Sequence, residues 1–432
     1  MRLWTLFCAL PLCVPLNADS LPAPEAWNWH AQATLLPEAN GPFHAAYSGP
    51  ASLQPIAEGR ASFTATLYLG LRAWPGAQLY ADPELSGGSG LSGTQGMAGV
   101  LNAETAHVGD PAPQVNLARF FVQQVFALGP GWDAVSSDQN QLAGALPSDR
   151  LTLLAGKFAI SDYVDANRYA HDARSQFVNG ALVASPSWDY PADTKGYTWG
   201  ALAEARLGAW SLRAASALEP TEANGAILDK DWSKYQGDCA ELEHRHQGAW
   251  GAGALRLMAY RNQADMGSYA DALAADPVHP DILASRQPRV KFGFGLNAEQ
   301  ALGANAGAFL RLGWDDGQTE SWAYTECDQT ASLGFQLKGA AWGRGTDQWG
   351  LAVLANGLNQ EHRAYLAAGG QGFLLGDGAL NYGPEEVLET YYSAGLLDWL
   401  TISADLQGIQ DPGYNRDRGP ALVAGARLHV AL

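Results

Sequence analysis

From Ala65 to Glu84 apolar and polar side chains take turns along the chain. Ala65, Leu67, Leu69 and Leu71 alternate with Thr66, Tyr68, Gly70 and Arg72. Trp74-Pro75-Gly76 then bends the chain, and Ala77, Leu79 and Ala81 alternate with Gln78, Tyr80 and Asp82. Alternation with period two around a Pro-Gly turn predicts a β-hairpin. The pattern recurs near residues 27–35, 61–72, 77–83, 117–128, 150–159, 195–206, 210–218 and 238–246. It continues near 250–262, 288–300, 305–315, 327–339, 347–356, 385–395, 399–409 and 420–432, which makes sixteen segments.

The connections between these segments alternate in length. Short turns fall at Trp74-Pro75-Gly76, Leu207-Gly208-Ala209, His246-Gln247-Gly248, Leu302-Gly303-Ala304, Ala341 to Gly345 and Leu397-Asp398. Long connections lie between them, at 36–60, 84–116, 160–194, 219–237, 263–287 and 357–384; one connection on the short side, 129–149, is longer than its peers. A soluble sandwich has no reason to sort its loops in this way. An all-β transmembrane antiparallel barrel of the outer membrane does, with short turns in the periplasm and long loops outside. Trp74, Trp210, Trp250, Trp342, Trp349 and Trp399 all stand beside short turns. There they would form a ring at the membrane–water boundary, where an indole is favourable. In this reading Ala65, Leu67, Leu69 and Leu71 face lipid, and Thr66, Tyr68 and Arg72 face a wet lumen. Closure satisfies every strand's backbone in a medium that offers no hydrogen bonds.

Composition supports this. Over 432 residues only 16% are charged and 10% are aromatic, with 49 Gly and a mean hydropathy of −0.14. Such a chain fits neither a helical membrane protein nor a disordered one. The formal charge of −18 argues against nucleic acid as a partner. At the N-terminus, Arg2 precedes the apolar run Leu3 to Leu16, and Ala18 stands before the expected cut. Residues 1–18 therefore read as a secretory signal peptide, with one barrel domain over 19–432. Cys239 and Cys327 are the cysteines of the mature chain; they fall on opposite faces of their strands, and two unpaired thiols are the favoured reading over a disulfide.

The same alternation assigns lumen side chains. It points Arg119, Gln123, Glu204, Arg213, Glu241, Glu243, Arg245, Arg311, Asp315, Glu389 and Asp405 inward. Lys157 needs a bulge at Gly156 to join them. If connection 160–194 folds into the bore, Asp172, Arg174 and Gln176 reach the solute path; otherwise it caps the outside. A ring of one sign selects ions. A lining that mixes guanidinium and carboxylate suits a neutral polyol, whose hydroxyls both donate and accept. The competing account is that these charges satisfy one another. Arg311 is expected to be solvated by channel water.

Catalytic signals are poor. There is no G-x-S-x-G, H-E-x-x-H or G-x-x-x-x-G-K-[ST]. His244 and His246 share a strand face near a turn, and Asp315-Asp316-Gly317 lacks the further acidic spacing of a calcium loop. No catalytic residue, metal or cofactor is assigned.

Long stretches resemble the OprB-like carbohydrate-selective porins. They include LARFFVQQVFALG, SDQNQLAG, RLTLLAGKFAISDYVDANRYAHDARSQF, WDYPADTKGYTWG, EPTEANG, RLGWDDGQTESWAYTE, HRAYLAAGGQGFLLGDGALNYGPEEVLETYY and DPGYNRDRGP, in that order along the chain. The resemblance implies a β-barrel channel in the outer membrane of a Gram-negative bacterium. It would pass glucose-like sugars by diffusion, in contact with outer-membrane lipid, as a single barrel or a homotrimer. The chain departs from the common barrel ending in an aromatic residue, since it finishes His429-Val430-Ala431-Leu432. Two other functions stay open: a non-conducting adhesion or structural barrel, and a barrel-borne lipid hydrolase with Ser175 as nucleophile and His171 as base.

Overall fold

The computed structural model describes residues 23–107 and 111–432; the expected signal peptide, residues 1–18, lies outside the described residues. The first strands are β1 (Trp27–Asn40), β2 (Glu58–Trp74), β3 (Ala77–Gly88), β4 (Gln114–Ala127), β5 (Trp132–Val135) and β6 (Gly144–Pro147). Next come β7 (Arg150–Phe158), β8 (Thr198–Leu207), β9 (Trp210–Leu218), β10 (Gln236–Gly248), β11 (Gly251–Met266) and β12 (Gln287–Ala301). The last are β13 (Ala306–Asp315), β14 (Gln329–Lys338), β15 (Gln348–Gly357), β16 (Glu385–Leu397), β17 (Leu400–Gln410) and β18 (Ala421–Ala431). All but β5 and β6 join one closed antiparallel barrel of sixteen strands, sealed where β18 pairs with β1, Leu428 opposite Leu35. Closure leaves no strand edge in lipid.

The outer surface is what lipid requires. Leu67, Leu69 and Leu71 of β2 are exposed, while Thr64, Thr66 and Tyr68 on the other face are buried toward the lumen. Trp74, Trp210, Trp250, Trp342 and Trp399 are exposed at the short-turn end, joined there by Trp27 and Trp132. Trp349 is half-buried, and its indole N–H donates to Thr390 Oγ1 at 3.0 Å.

Strands run further at the long-loop end than alternation predicts. β1 continues to Asn40 and β11 to Met266. There the polarity of the two faces reverses. On β11 Arg261 is exposed outward, while Ala264 and Met266 are buried inward. Above the lipid the outer face meets water and the inner face meets packed loops, so a lipid-based pattern stops too soon.

Three local expectations change. Connection 129–149 carries the small hairpin β5–β6. Gly156 has φ +142°, but β7 keeps its register with β4 there, so there is no bulge at Gly156. The bulge lies on β4 at Ala118, because Asp82 pairs with Arg119 and Pro83 pairs with Leu117. Cys327 is not on a strand face; it is buried just before β14, with Sγ donating to Gln329 O at 3.1 Å, and both Cys239 and Cys327 are free thiols.

Leu69→Arg is expected to cost about 2–4 kcal/mol of folding into lipid, because it places a charge near the midplane of the apolar band. Equilibrium folding into vesicles across a urea series measures this.

Candidate functional site

The connection between β7 and β8, residues 159–197, folds into the lumen. Its chain is irregular, so its buried N–H and C=O groups need partners from the wall. β13 supplies a landing face. Its inward residues are Gly307, Phe309, Arg311 and Gly313. A Cβ on Gly307 would sit 1.9 Å from the Tyr169 ring, and one on Gly313 would sit 2.0 Å from Ser187 Oγ, so both positions require glycine for close approach. Phe309 meets Phe177 edge-on at 5.8 Å, and Phe177 meets Tyr391 at 5.0 Å. Arg311 is 0% exposed. Its guanidinium donates to the carbonyls of Leu182 (2.6 Å), Ala170 (2.7 Å) and Asp165 (3.1 Å), and to the Asp165 carboxylate at 3.2 Å.

Other wall residues do the same for the rest of the insert. Arg427 donates to Ala173 O at 2.6 Å and Gln176 O at 2.8 Å. Glu389 accepts from the backbone N–H of Val178 and of Asn179, the latter at 3.0 Å. Glu241 accepts from Asp165 N at 2.8 Å. The loop between β3 and β4 also enters the bore: Glu104 accepts from Thr64 Oγ1 at 2.6 Å, and Gly180 N donates to Val100 O at 2.8 Å.

The wall from β7 to β12 also packs against the insert, where Ile160, Val164, Trp188 and Tyr190 share a core with Leu154, Leu202, Met258 and Tyr260; its charges pair among themselves. Arg213 bridges Glu204 (2.6 Å), Glu241 (2.7 Å) and Glu243 (3.3 Å). Arg256 continues the chain of charge to Glu243 (2.8 Å) and Glu299 (3.2 Å), and Arg168 of the insert lies 3.8 Å from Glu299. Arg245 joins Glu243 at 3.1 Å and keeps 20% of its side chain exposed. Nearer the mouth, Arg119 holds Asp162 with both forks (2.7 and 2.8 Å) and lies 5.3 Å from the Tyr197 ring. Arg174 reaches Glu104 (3.0 Å), Tyr68 Oη (3.1 Å) and Glu84 (3.2 Å). Burial, reinforced by Glu84, holds the Tyr197 phenol far above its ordinary pKa, so it is a neutral donor to Glu84. Below the insert a cavity of about 310 Å³ is lined by Arg168, Tyr169, Gln336 and Lys338.

The thirteen expected lumen residues therefore divide. Arg119, Gln123, Asp172, Arg174, Glu204 and Arg245 keep part of their surface, and Arg213 sits between Glu204 and the buried carboxylates. Glu241, Glu243, Arg311, Asp315 and Glu389 are buried to 0–1% exposure. The expected solvation of Arg311 by channel water is corrected: the insert covers it. Asp315 lies at the outer end, accepting from Gly317 N at 2.7 Å. Asp405 is buried beside Gln407, whose side chain donates to it at 3.3 Å. Connection 160–194 folds inward, with Asp172 accepting from Ser175 Oγ at 2.6 Å and Gln176 donating to Arg168 O at 2.7 Å. Arg256, Glu299 and Arg427 were missed, although alternation within their strands points each of them inward; Arg168 and Tyr197 lie off the strands and carried no such signal.

Ser175 bonds to Asp172, and among the described residues no hydrogen bond links it to His171. Burial, then Arg311, pushes the His171 imidazole below its usual pKa. Among the described residues no group of His, Cys, Asp or Glu is arranged to hold a metal ion.

Arg311→Ala is expected to free the insert rather than retune a solvated wall. Trypsin should then cut at Arg168 or Arg174 in a barrel that still migrates as folded, and single-channel current should become noisy. Arg311→Lys should not restore quiet current, because one ammonium cannot span the same carbonyls.

No curated protein matches the chain significantly. Among solved structures it is similar to the high-pH structure of Pseudomonas putida OprB, with 17% identity, a TM-score of 0.71 and 94% of each chain covered. It also resembles the outer-membrane channel DcaP of Acinetobacter baumannii at 8% identity, TM-score 0.50, over 94% of this chain and 97% of that one. The model of the carbohydrate-selective porin, OprB family, matches residues 52–432. With a sixteen-stranded barrel, a folded-in loop and a wall of alternating guanidinium and carboxylate, the chain belongs to the OprB family of carbohydrate-selective porins.

Proposed function

We propose that small, glucose-like sugars diffuse through this outer-membrane barrel past the partly exposed charges of β4, β8, β10 and the insert. Their hydroxyls would exchange water for Arg119, Arg174, Glu204 and Arg245, with Gln123, Asp172 and the insert's Arg168 beside them. The observation that carries this reading is a set of oppositely charged lumen pairs that keep part of their surface. Arg119, Arg174, Glu204 and Arg245 each pair with a group of opposite sign and each keep 12–20% of the side chain exposed. A guanidinium accepts no hydrogen bond and an ionised carboxylate donates none, so the pair together matches a group that does both. Charges already paired with one another favour neither ion, whereas a hydroxyl can join without displacing a counter-charge. Passage needs no cofactor and no covalent step. In this reading residues 1–18 direct the chain across the inner membrane and are removed. A single barrel contains the whole path; native mass spectrometry in detergent distinguishes it from a homotrimer.

Reconstituted protein is expected to conduct and to swell liposomes in glucose. Arg245→Ala should weaken sugar-dependent block of the current about three- to tenfold while the barrel folds normally. A barrel that neither conducts nor swells liposomes would leave the non-conducting adhesion barrel as the better reading.

A further inference from the structure

A barrel needs only a tight turn between β4 and β7. Ala127 pairs with Arg150, and Leu128 N donates to Asp149 O at 2.9 Å, so two residues would close that hairpin. The chain instead spends residues 129–148 there, on the periplasmic side where such barrels keep short turns. This segment does not hang free. Its stem is β5–β6, and its tip, residues 136–143, lies inside the lumen on β1 to β3.

The contacts are specific. Asn28 on the lumen face of β1 donates to Ser137 Oγ at 2.8 Å and Gln141 O at 2.9 Å, and His30 meets Ser137 Oγ at 3.1 Å. Arg72 of β2 donates to Ala143 O at 3.3 Å. Leu142 is 1% exposed, and a Cβ on Gly70 would fall 3.3 Å from its methyl. Glu25, just before β1, straps the stem by accepting from Ala143 N at 2.7 Å. At the far end Asn140 donates to Asp82 at 2.8 Å. Asp82 lies 3.6 Å from Arg119, which in turn grips Asp162 of the insert. One carboxylate thus joins the segment entering from the periplasm to the insert entering from outside. Asp138, Gln139 and Gln141 remain half-exposed on the tip.

We propose that residues 136–143 form a second constriction at the periplasmic exit of the bore, braced on Asp82, with Asp138, Gln139 and Gln141 as further selectivity residues. The polyol role of those side chains rests on the sugar-porin reading; the narrowing does not. A tip pinned by side chains at Ser137, Asn140 and Leu142 is held in place, so it limits the cross-section continuously rather than by chance entry.

Two variants test it. In the first, residues 129–148 are replaced by Asn-Gly. In the second, Ser137→Ala and Asn140→Ala release the tip and leave its length unchanged. Single-channel conductance in potassium chloride and liposome swelling in sugars of increasing size are measured for both. The turn replacement is expected to raise conductance about 1.5-fold or more and to admit a larger saccharide. The double variant is expected to add current noise at the wild-type mean. Unchanged conductance and size limit in a folded turn replacement would overturn the proposal, as would a double variant as quiet as wild type. If the turn replacement does not fold, the double variant decides alone. Higher conductance in a protein that shows no sugar block even as wild type would support the constriction and remove the sugar reading.

Discussion

A closed cylinder in lipid satisfies its own strands, but a loop folded into its bore brings unpaired carbonyls and amides with it. That demand organises the interior of this protein. Arg311 answers it most fully, with one guanidinium spread over four backbone carbonyls and a carboxylate of the insert. Hydrogen bonds to a charged group contribute about 1.5–3 kcal/mol each, and leaving such carbonyls unpaired would cost a similar amount. Arg427, Glu389 and Glu241 meet the same need elsewhere. The insert is therefore part of the wall in energetic terms, although no strand pairing holds it.

This explains what could and could not be read from the chain. Strand number, strand direction, the lipid face and the tryptophan ring were legible, because lipid imposes one rule on every outward position and the rule repeats with period two. Leu67, Leu69 and Leu71 illustrate it. The rule lapses above the bilayer, where Ala264 and Met266 turn inward and Arg261 turns out, and the predicted ends fall short there. The lumen was legible only in part. Alternation says which way Arg311 and Arg245 point, and both do point inward. It does not say what reaches across to meet them, since that depends on a loop with no periodicity of its own. A trace existed: Val387, Ile409 and Val423 are inward, apolar and buried, and an apolar lumen position means that something packs on it.

The lumen charges have a different character from those in a one-sign filter. Arg213 shares three carboxylates and Arg256 shares two, so each charge on this wall is balanced by neighbours within the wall. A balanced wall gives a passing ion little net field, yet it is dense in oriented donors and acceptors. That is the physical sense in which a strongly acidic chain can carry a bore suited to uncharged polyols.

The glycine, phenylalanine, arginine, glycine face of β13 acts as a mould for one particular loop. Tyr169 and Ser187 fit it because Gly307 and Gly313 leave no side chain in their way, and Phe177 fits edge-on against Phe309. Strand and loop must therefore change in concert. Grafting a relative's constriction loop into this barrel would transfer its permeability only if the mould travelled with it, so pore diversity in such a scaffold evolves in matched pieces rather than through free variation of its loops.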